Sequence, residues 1–123
     1  MSNYKVQVPQ PKETDITKAI LQWLSLSRVF AWRANTGAVA ATYKGKSRFM
    51  RFGPKGQADI LGVLPETGRL LAIEVKREGK QATEDQQRFL ERINENNGLA
   101  IVVHSLEECQ EILQPAIHKR VRP

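Results

Sequence analysis

Three side chains in the middle of the chain have the types and spacing to do chemistry. The stretch LLAIEVKR, residues 70–77, is an apolar run of strand type into which Glu74 and Lys76 intrude, two residues apart. On a strand that spacing places both on the same face. The preceding apolar stretch, ADILGVL, is joined to it by PETG, a turn composition, so the two read as an antiparallel hairpin. With Pro65–Gly68 as the turn, Leu64 faces Arg69 and every facing pair of residue numbers sums to 133. Asp59 then lies opposite Glu74, and like charges so placed destabilise a sheet. A divalent cation relieves such repulsion. Hard carboxylate oxygens suit Mg²⁺, which uses one or two of them and completes its shell with water and substrate phosphate. Beside a basic surface, that chemistry is hydrolysis of a phosphodiester, with the metal activating water and Lys76 orienting or deprotonating it.

Each of the three has a structural alternative. Glu74 and Lys76 could lie past the buried part of the strand, on a solvated end, and Asp59 could belong to the turn chemistry after GPKGQ. Singly these alternatives are the better reading. An Asp facing a Glu-x-Lys on neighbouring apolar strands favours the joint functional one.

The charge distribution supplies the basic surface. The chain of 123 residues carries a net charge of +6, and no acidic residue occurs between Asp15 and Asp59. That interval holds Lys18, Arg28, Arg33, Lys44, Lys46, Arg48, Arg51 and Lys55, and the C-terminal HKRVRP adds Lys119, Arg120 and Arg122. Segregated positive charge is the footprint of a nucleic-acid binder, and a plain solvated basic surface is the competing reading. There is no apolar run long enough to span a membrane and no apolar signal segment in MSNYKVQVPQPKE. Cys109 is the single cysteine, so no internal disulfide or thiolate zinc site is possible, which fits a reducing, cytoplasmic setting.

The elements that must position these residues follow from periodicity. The length is that of one domain. Residues 1–12 read as a loose polar arm, 13–117 as a single domain, and 118–123 as a basic tail. ETDITKAILQWLSL is a helix with Ile16, Ile20, Trp23 and Leu24 on its apolar stripe. RVFAWRAN is strand-like, and the basic, glycine-punctuated segment after it reads as a hairpin or loop turning at Lys44-Gly45-Lys46. After the central hairpin come the helix TEDQQRFLERINENN, stopped by Gly98, the buried strand LAIVVH, and a last helix bent or ended at Pro115. The strand–helix–strand unit predicts LAIVVH parallel to LLAIEVK. The fold class is α/β, a mixed central sheet with helices on its faces. Trp23 and Trp32 read as core, and Phe49 and Phe52, interleaved with Arg48 and Arg51, as better candidates for nucleic-acid contact.

GPKGQADILGVL, then LAIEVKREGKQATEDQQRFLERI, then GLAIVV resemble the VRR-NUC family of the PD-(D/E)xK nuclease superfamily, in its small stand-alone phage and bacterial form. The resemblance runs from about Glu13 to Val103 and rests on Gly56-x-x-Asp59, Glu74-Val75-Lys76 and a glutamine on the next helix. It implies a restriction-endonuclease-like core of order αβββαβ with a C-terminal helix. It implies a Mg²⁺- or Mn²⁺-dependent DNA endonuclease acting on branched DNA such as junctions or flaps, working as a homodimer. By the same resemblance Asp59 and Glu74 are metal ligands together with the main-chain carbonyl of Val75, and Lys76 is the catalytic lysine. Glu13 stands where family members carry a further glutamate, although an acid at a helix start is also favoured by the macrodipole. Gln86, three residues before Phe89, matches the helix glutamine, while Thr83-x-x-Gln86 is also a capping box. Arg33 and Asn35 match the family's Arg-x-Asn-x-Gly and would touch DNA or brace the site, a strand-end salt bridge being the alternative for Arg33. With Lys44, Lys46, Arg48, Arg51, Lys55 and Lys80 they make the candidate DNA-binding set. His104 and His118 are not expected to bind metal. A binding module that has kept this fold but lost catalysis is the rival reading.

Overall fold

The computed structural model describes residues 9–35, 38–43, 46–51 and 53–118, for 38–43 and 46–51 the backbone only. Lys44, Phe52, most of the expected N-terminal arm and the tail beyond His118 lie outside the described residues.

Helix α1 spans Glu13–Leu26, and its Ile16, Ile20 and Leu24 are buried as the 3.6-residue period requires. Arg28, at φ 61°, turns the chain out of the helix, and Val29 N–H bonds back to the Leu24 carbonyl at 2.9 Å. Strands β1 (Phe30–Arg33), β4 (Ile60–Val63), β5 (Leu70–Val75) and β6 (Leu99–Val103) form a four-stranded sheet in the order β1-β4-β5-β6. Between β1 and β4 the chain makes a separate antiparallel ribbon of β2 (Ala38–Tyr43) and β3 (Lys46–Arg51), so the basic segment is a hairpin. β5 and β6 are parallel and are joined through α2 (Glu84–Glu95); α3 (Leu106–Ile117) ends the fold.

The central hairpin has the expected register. Ile60 faces Ile73, Leu61 Ala72, Gly62 Leu71 and Val63 Leu70. Its turn is closed by Leu64 N–H to the Arg69 carbonyl at 2.8 Å, with Glu66 and Gly68 both left-handed. Side chains alternate between the two faces of the sheet. Ile60, Leu71, Ile73, Val75 and Val103 join Ile16, Ile20 and Leu24 of α1 and Cys109, Leu113 and Ile117 of α3 in the larger core. Ala58, Ala72 and Ala100 meet Leu90 of α2 on the other face. Small residues there let α2 lie close to the sheet.

Three local expectations need correction. Trp32 is not core: it is 41 % exposed beside Phe30 at 72 %, ring centroids 5.2 Å apart, because β1 is one edge strand of the sheet and α2 packs on β5 and β6 toward the other edge. Of the two outcomes expected at Pro115, a bend or an end, the end does not occur: helix α3 continues through Pro115 to Ile117. Helix α2 is closed by Asn97, whose φ is 67°, while the Gly98 N–H caps the Ile93 carbonyl at 2.8 Å. Gly98 is small because a Cβ there would press on Ile93 and on the Leu70 carbonyl.

Candidate active site

Asp59 sits one residue before β4, continuing the ladder by one position: its carbonyl accepts the Ala34 N–H at 2.8 Å. The loop that delivers it is fixed by Gly56, left-handed at φ 78° and so close to α2 that a Cβ would collide with the Asp85 carbonyl. Gln57 ties the same loop to β1 through a 2.7 Å bond to the Ala34 carbonyl. The Asp59 carboxylate accepts the Val75 N–H at 2.8 Å through Oδ2 and the Asn35 side-chain amide at 3.4 Å through Oδ1. It therefore caps the end of β5, next to the residue it was expected to face.

Glu74 is not on a solvated strand end. It is 2 % exposed, on a strand buried on both faces, and the N-terminus of α2 closes over it. Its Oε2 accepts the Gln86 amide at 3.1 Å and lies 3.9 Å from Lys76 Nζ. Its Oε1 is buried with no hydrogen-bond partner. Burial first, then the charge and close approach of Asp59, push the Glu74 carboxyl up to about 8; Lys76 pulls it the other way and Glu13 adds a smaller upward push. Near neutral pH, without a cation, Glu74 thus holds a proton between itself and Asp59.

This donor set fits a hard divalent cation. A buried carboxylate oxygen without a partner costs free energy, and a cation on the Asp59–Glu74 pair would supply its partner while displacing the proton. Among the described residues no three His, Cys, Asp or Glu side chains gather at ligand distance. Two carboxylates suffice for Mg²⁺, which keeps water in the rest of its shell. Glu13 stands apart from the pair. Its Oε2 accepts the Arg77 N–H at 3.0 Å, which fixes the chain just beyond Lys76. Val75 meets Asp59 through its N–H.

Gln86 does both things its position allowed. Its Oε1 accepts the Thr83 N–H at 2.9 Å, completing a capping box, and its Nε2 donates to Glu74. Of the candidate DNA-binding residues, Asn35 reaches Asp59, Arg33 is exposed on β1 rather than in a buried salt bridge, and Lys55 pairs with Asp85 of α2 at 3.3 Å. Lys46, Arg48 and Arg51 lie on β3, in the ribbon. Lys80 lines a shallow depression of about 290 Å³ with Lys12, Glu13, Thr14 and Arg77. The sequence reading missed Gln57, which braces the Asp59 loop, and the contacts of His104.

The family model of the VRR-NUC domain matches residues 11–107. The chain belongs to the VRR-NUC family. Solved structures agree on the fold. One titled "VRR_NUC domain" superposes with a TM-score of 0.58 at 21 % identity, covering 83 % of this chain and 94 % of its own. Another, titled "VRR_NUC domain protein", gives 0.58 at 16 % identity and covers 89 % and 91 %. No curated protein matches the sequence. VRR-NUC is a nuclease family, so the chain carries a nuclease-type domain on a restriction-endonuclease-like α/β core. Nucleases of the PD-(D/E)xK type generally use divalent metals. No helix among the described residues is long and apolar enough to cross a membrane.

Proposed function

We propose that this VRR-NUC chain is a Mg²⁺- or Mn²⁺-dependent endonuclease that hydrolyses phosphodiester bonds of structured DNA and acts as a homodimer, one protomer per strand. The observation that carries the reading is the buried Glu74 carboxylate with a partnerless Oε1, set against Asp59 with Lys76 beside it. Asp59 and Glu74 would hold the cation, with the Val75 carbonyl and Glu13 as further oxygens at the same end of the sheet. The cation would supply Lewis acidity and a water more acidic than bulk water. Gln86 fixes the Glu74 carboxylate through Oε2 and leaves Oε1 free for a ligand role. Lys76 brings positive charge to the phosphate, where charge develops on the oxygens in the transition state. In its neutral form the same Nζ can accept a proton from water. The eight cations between residues 16 and 58 far exceed what one phosphate needs, which favours a polymer over a small phosphoester.

The test is a cleavage panel with each metal on a four-way junction, a flap, a splayed arm, a duplex and a single strand, beside Glu74→Ala and Lys76→Ala. Each variant should lose at least about a hundredfold in rate, and preference should fall on the branched substrates. A Glu74→Ala variant that cuts as fast as the parent overturns the site. Intact substrate with persistent binding would make the chain a binding module.

A further inference from the structure

The loop 76–82, which leaves the site, carries Lys76, Arg77 and Lys80. Its first half is fastened by the site itself. Lys76 N–H bonds to the Val103 carbonyl at 2.9 Å and Arg77 N–H to Glu13 at 3.0 Å. The chain then turns at Gly79, φ 85°, with Lys80 N–H bonded to the Arg77 carbonyl at 3.0 Å. Beyond that turn, the Lys80 carbonyl lies 3.1 Å from His104 Nε2. The other ring nitrogen, Nδ1, lies 3.2 Å from Glu108 Oε2, which also accepts the His104 N–H at 3.3 Å.

Hydrogen-bond valence decides what this arrangement means. A carbonyl oxygen only accepts, so Nε2 must carry hydrogen to hold Lys80. An ionised carboxylate also only accepts, so Nδ1 must carry hydrogen to hold Glu108. A neutral imidazole has one N–H, and only the imidazolium makes both bonds. On losing a proton the ring keeps hydrogen at Nδ1, against the stronger, charged acceptor, and the Lys80 carbonyl loses its donor.

We propose that His104 is a positioning residue which, as an imidazolium, latches the loop bearing Lys76, Arg77 and Lys80 to the start of α3 and lets Lys80 go when deprotonated. The charged groups facing the ring are Glu108 on α3 and, from the loop, Glu78. Strand β6, LAIVV, carries none. Burial works against the ring's charge, but the Lys80 carbonyl, Glu108 and Glu78 outweigh it and raise the His104 pKa. The latch is therefore closed below the ordinary histidine range and opens as pH rises through the raised value. Its effect on catalysis rests on the nuclease reading, whereas the latch itself does not.

The experiment has two arms on the full chain. Only two histidines are present, so imidazole NMR resolves His104 from the exposed His118. His104 should titrate above the ordinary histidine value, and Glu108→Gln should lower its midpoint. Amide-exchange protection around Lys80, taken relative to His104→Gln, should fall as pH crosses the His104 midpoint. The glutamine keeps an N–H for Lys80 without titrating. In the second arm, the parent-to-His104→Gln ratio of kcat should fall by roughly fivefold over the same interval, the worth of one hydrogen bond. His104→Ala should be slow throughout. A His104 midpoint at the ordinary histidine value and unmoved by Glu108→Gln, or loop protection in His104→Ala equal to the parent's, overturns the latch. A parent without nuclease activity overturns the nuclease reading and leaves the first arm to decide the latch.

Discussion

Replacing Glu74 with glutamine should make the metal-free protein more stable at alkaline pH while removing the cation site. The Glu74 carboxyl moves from an ordinary value of 4.5 in the unfolded chain to about 8 in the folded one. Between those values the folded state holds a proton that the unfolded state has released, so stability falls as pH rises through that window. At about 1.4 kcal/mol per pH unit the full displacement sets a ceiling of about 5 kcal/mol. Relaxation and water entry on ionisation will reduce it, and about 2–4 kcal/mol is expected. In Glu74→Gln the amide oxygen can still accept from Gln86, its NH₂ can donate to Asp59, and nothing titrates at this position.

Urea unfolding in the presence of a chelator, at intervals from pH 5 to pH 9, measures the effect. At pH 5 Glu74 is already protonated, and parent and variant should agree within about 1 kcal/mol. At pH 9 the variant should be the more stable by the amount above, a midpoint shift of about 1–2 M urea at the slopes usual for small domains. Titrating groups away from this site are common to both proteins and cancel in the difference. Parallel stability–pH curves, separated by a constant amount, would refute the claim that Glu74 is a buried acid with a raised pKa.

Three further outcomes follow from the same geometry. Mg²⁺ at about a hundredfold over its dissociation constant should stabilise the parent by about 2.7 kcal/mol, visible as a rise in Tm that Asp59→Ala and Glu74→Ala lack; equal rises in all three proteins would remove the metal site. Gly56→Ala should lower Tm by about 5–10 °C, because a left-handed alanine must push the start of α2 away through Asp85; an unchanged Tm would show that the loop and helix are not held together there. Binding to duplex DNA should weaken with salt at a log–log slope of about −5 for six phosphate contacts, measured by titration with a fluorescent duplex at several salt concentrations; a slope near −1 would take the basic segment out of the interface.

The pairing of Asp59 with Glu74 was legible because it depends on local quantities. PETG is a turn by composition, the flanking apolar runs are strands by residue type, and a turn length fixes a register. The burial of Glu74 was not legible, because it depends on a helix ten residues further along the chain folding back over the strand. Gln86 lay between these cases. Its inward face and its capping pattern were both in the sequence, but only the folded chain shows that one amide can serve both through its two different atoms. Trp32 misled for a tertiary reason: an aromatic on a strand is core only when something covers it, and β1 is at the sheet's edge. His104 left a faint signal, an i, i+4 pair with Glu108 across a serine N-cap. The pattern Ser105-x-x-Glu108 suggests a capping box, yet Glu108 reaches past Ser105 to the His104 N–H and ring.

These contacts share a logic that explains how a carboxyl can be buried here at all. A carboxylate at the end of a two-face-buried strand is tolerable only if each oxygen has a partner. Gln86 serves Oε2, and the Gln86 rotamer is held in turn by the Thr83 cap, so the start of α2 and the ligand geometry form together. Oε1 is left without protein partner. Filling it with a protein donor would have raised stability and competed with the cation. Without a cation the proton shared with Asp59 is what satisfies the pair, and it is lost as pH rises through about 8, so that above this value a cation gains its own coordination energy and also relieves two facing buried carboxylates. On this argument a cation should matter as much for the stability of this domain as for its chemistry, and the two should be lost together in any variant that gives Oε1 a hydrogen-bond donor of its own.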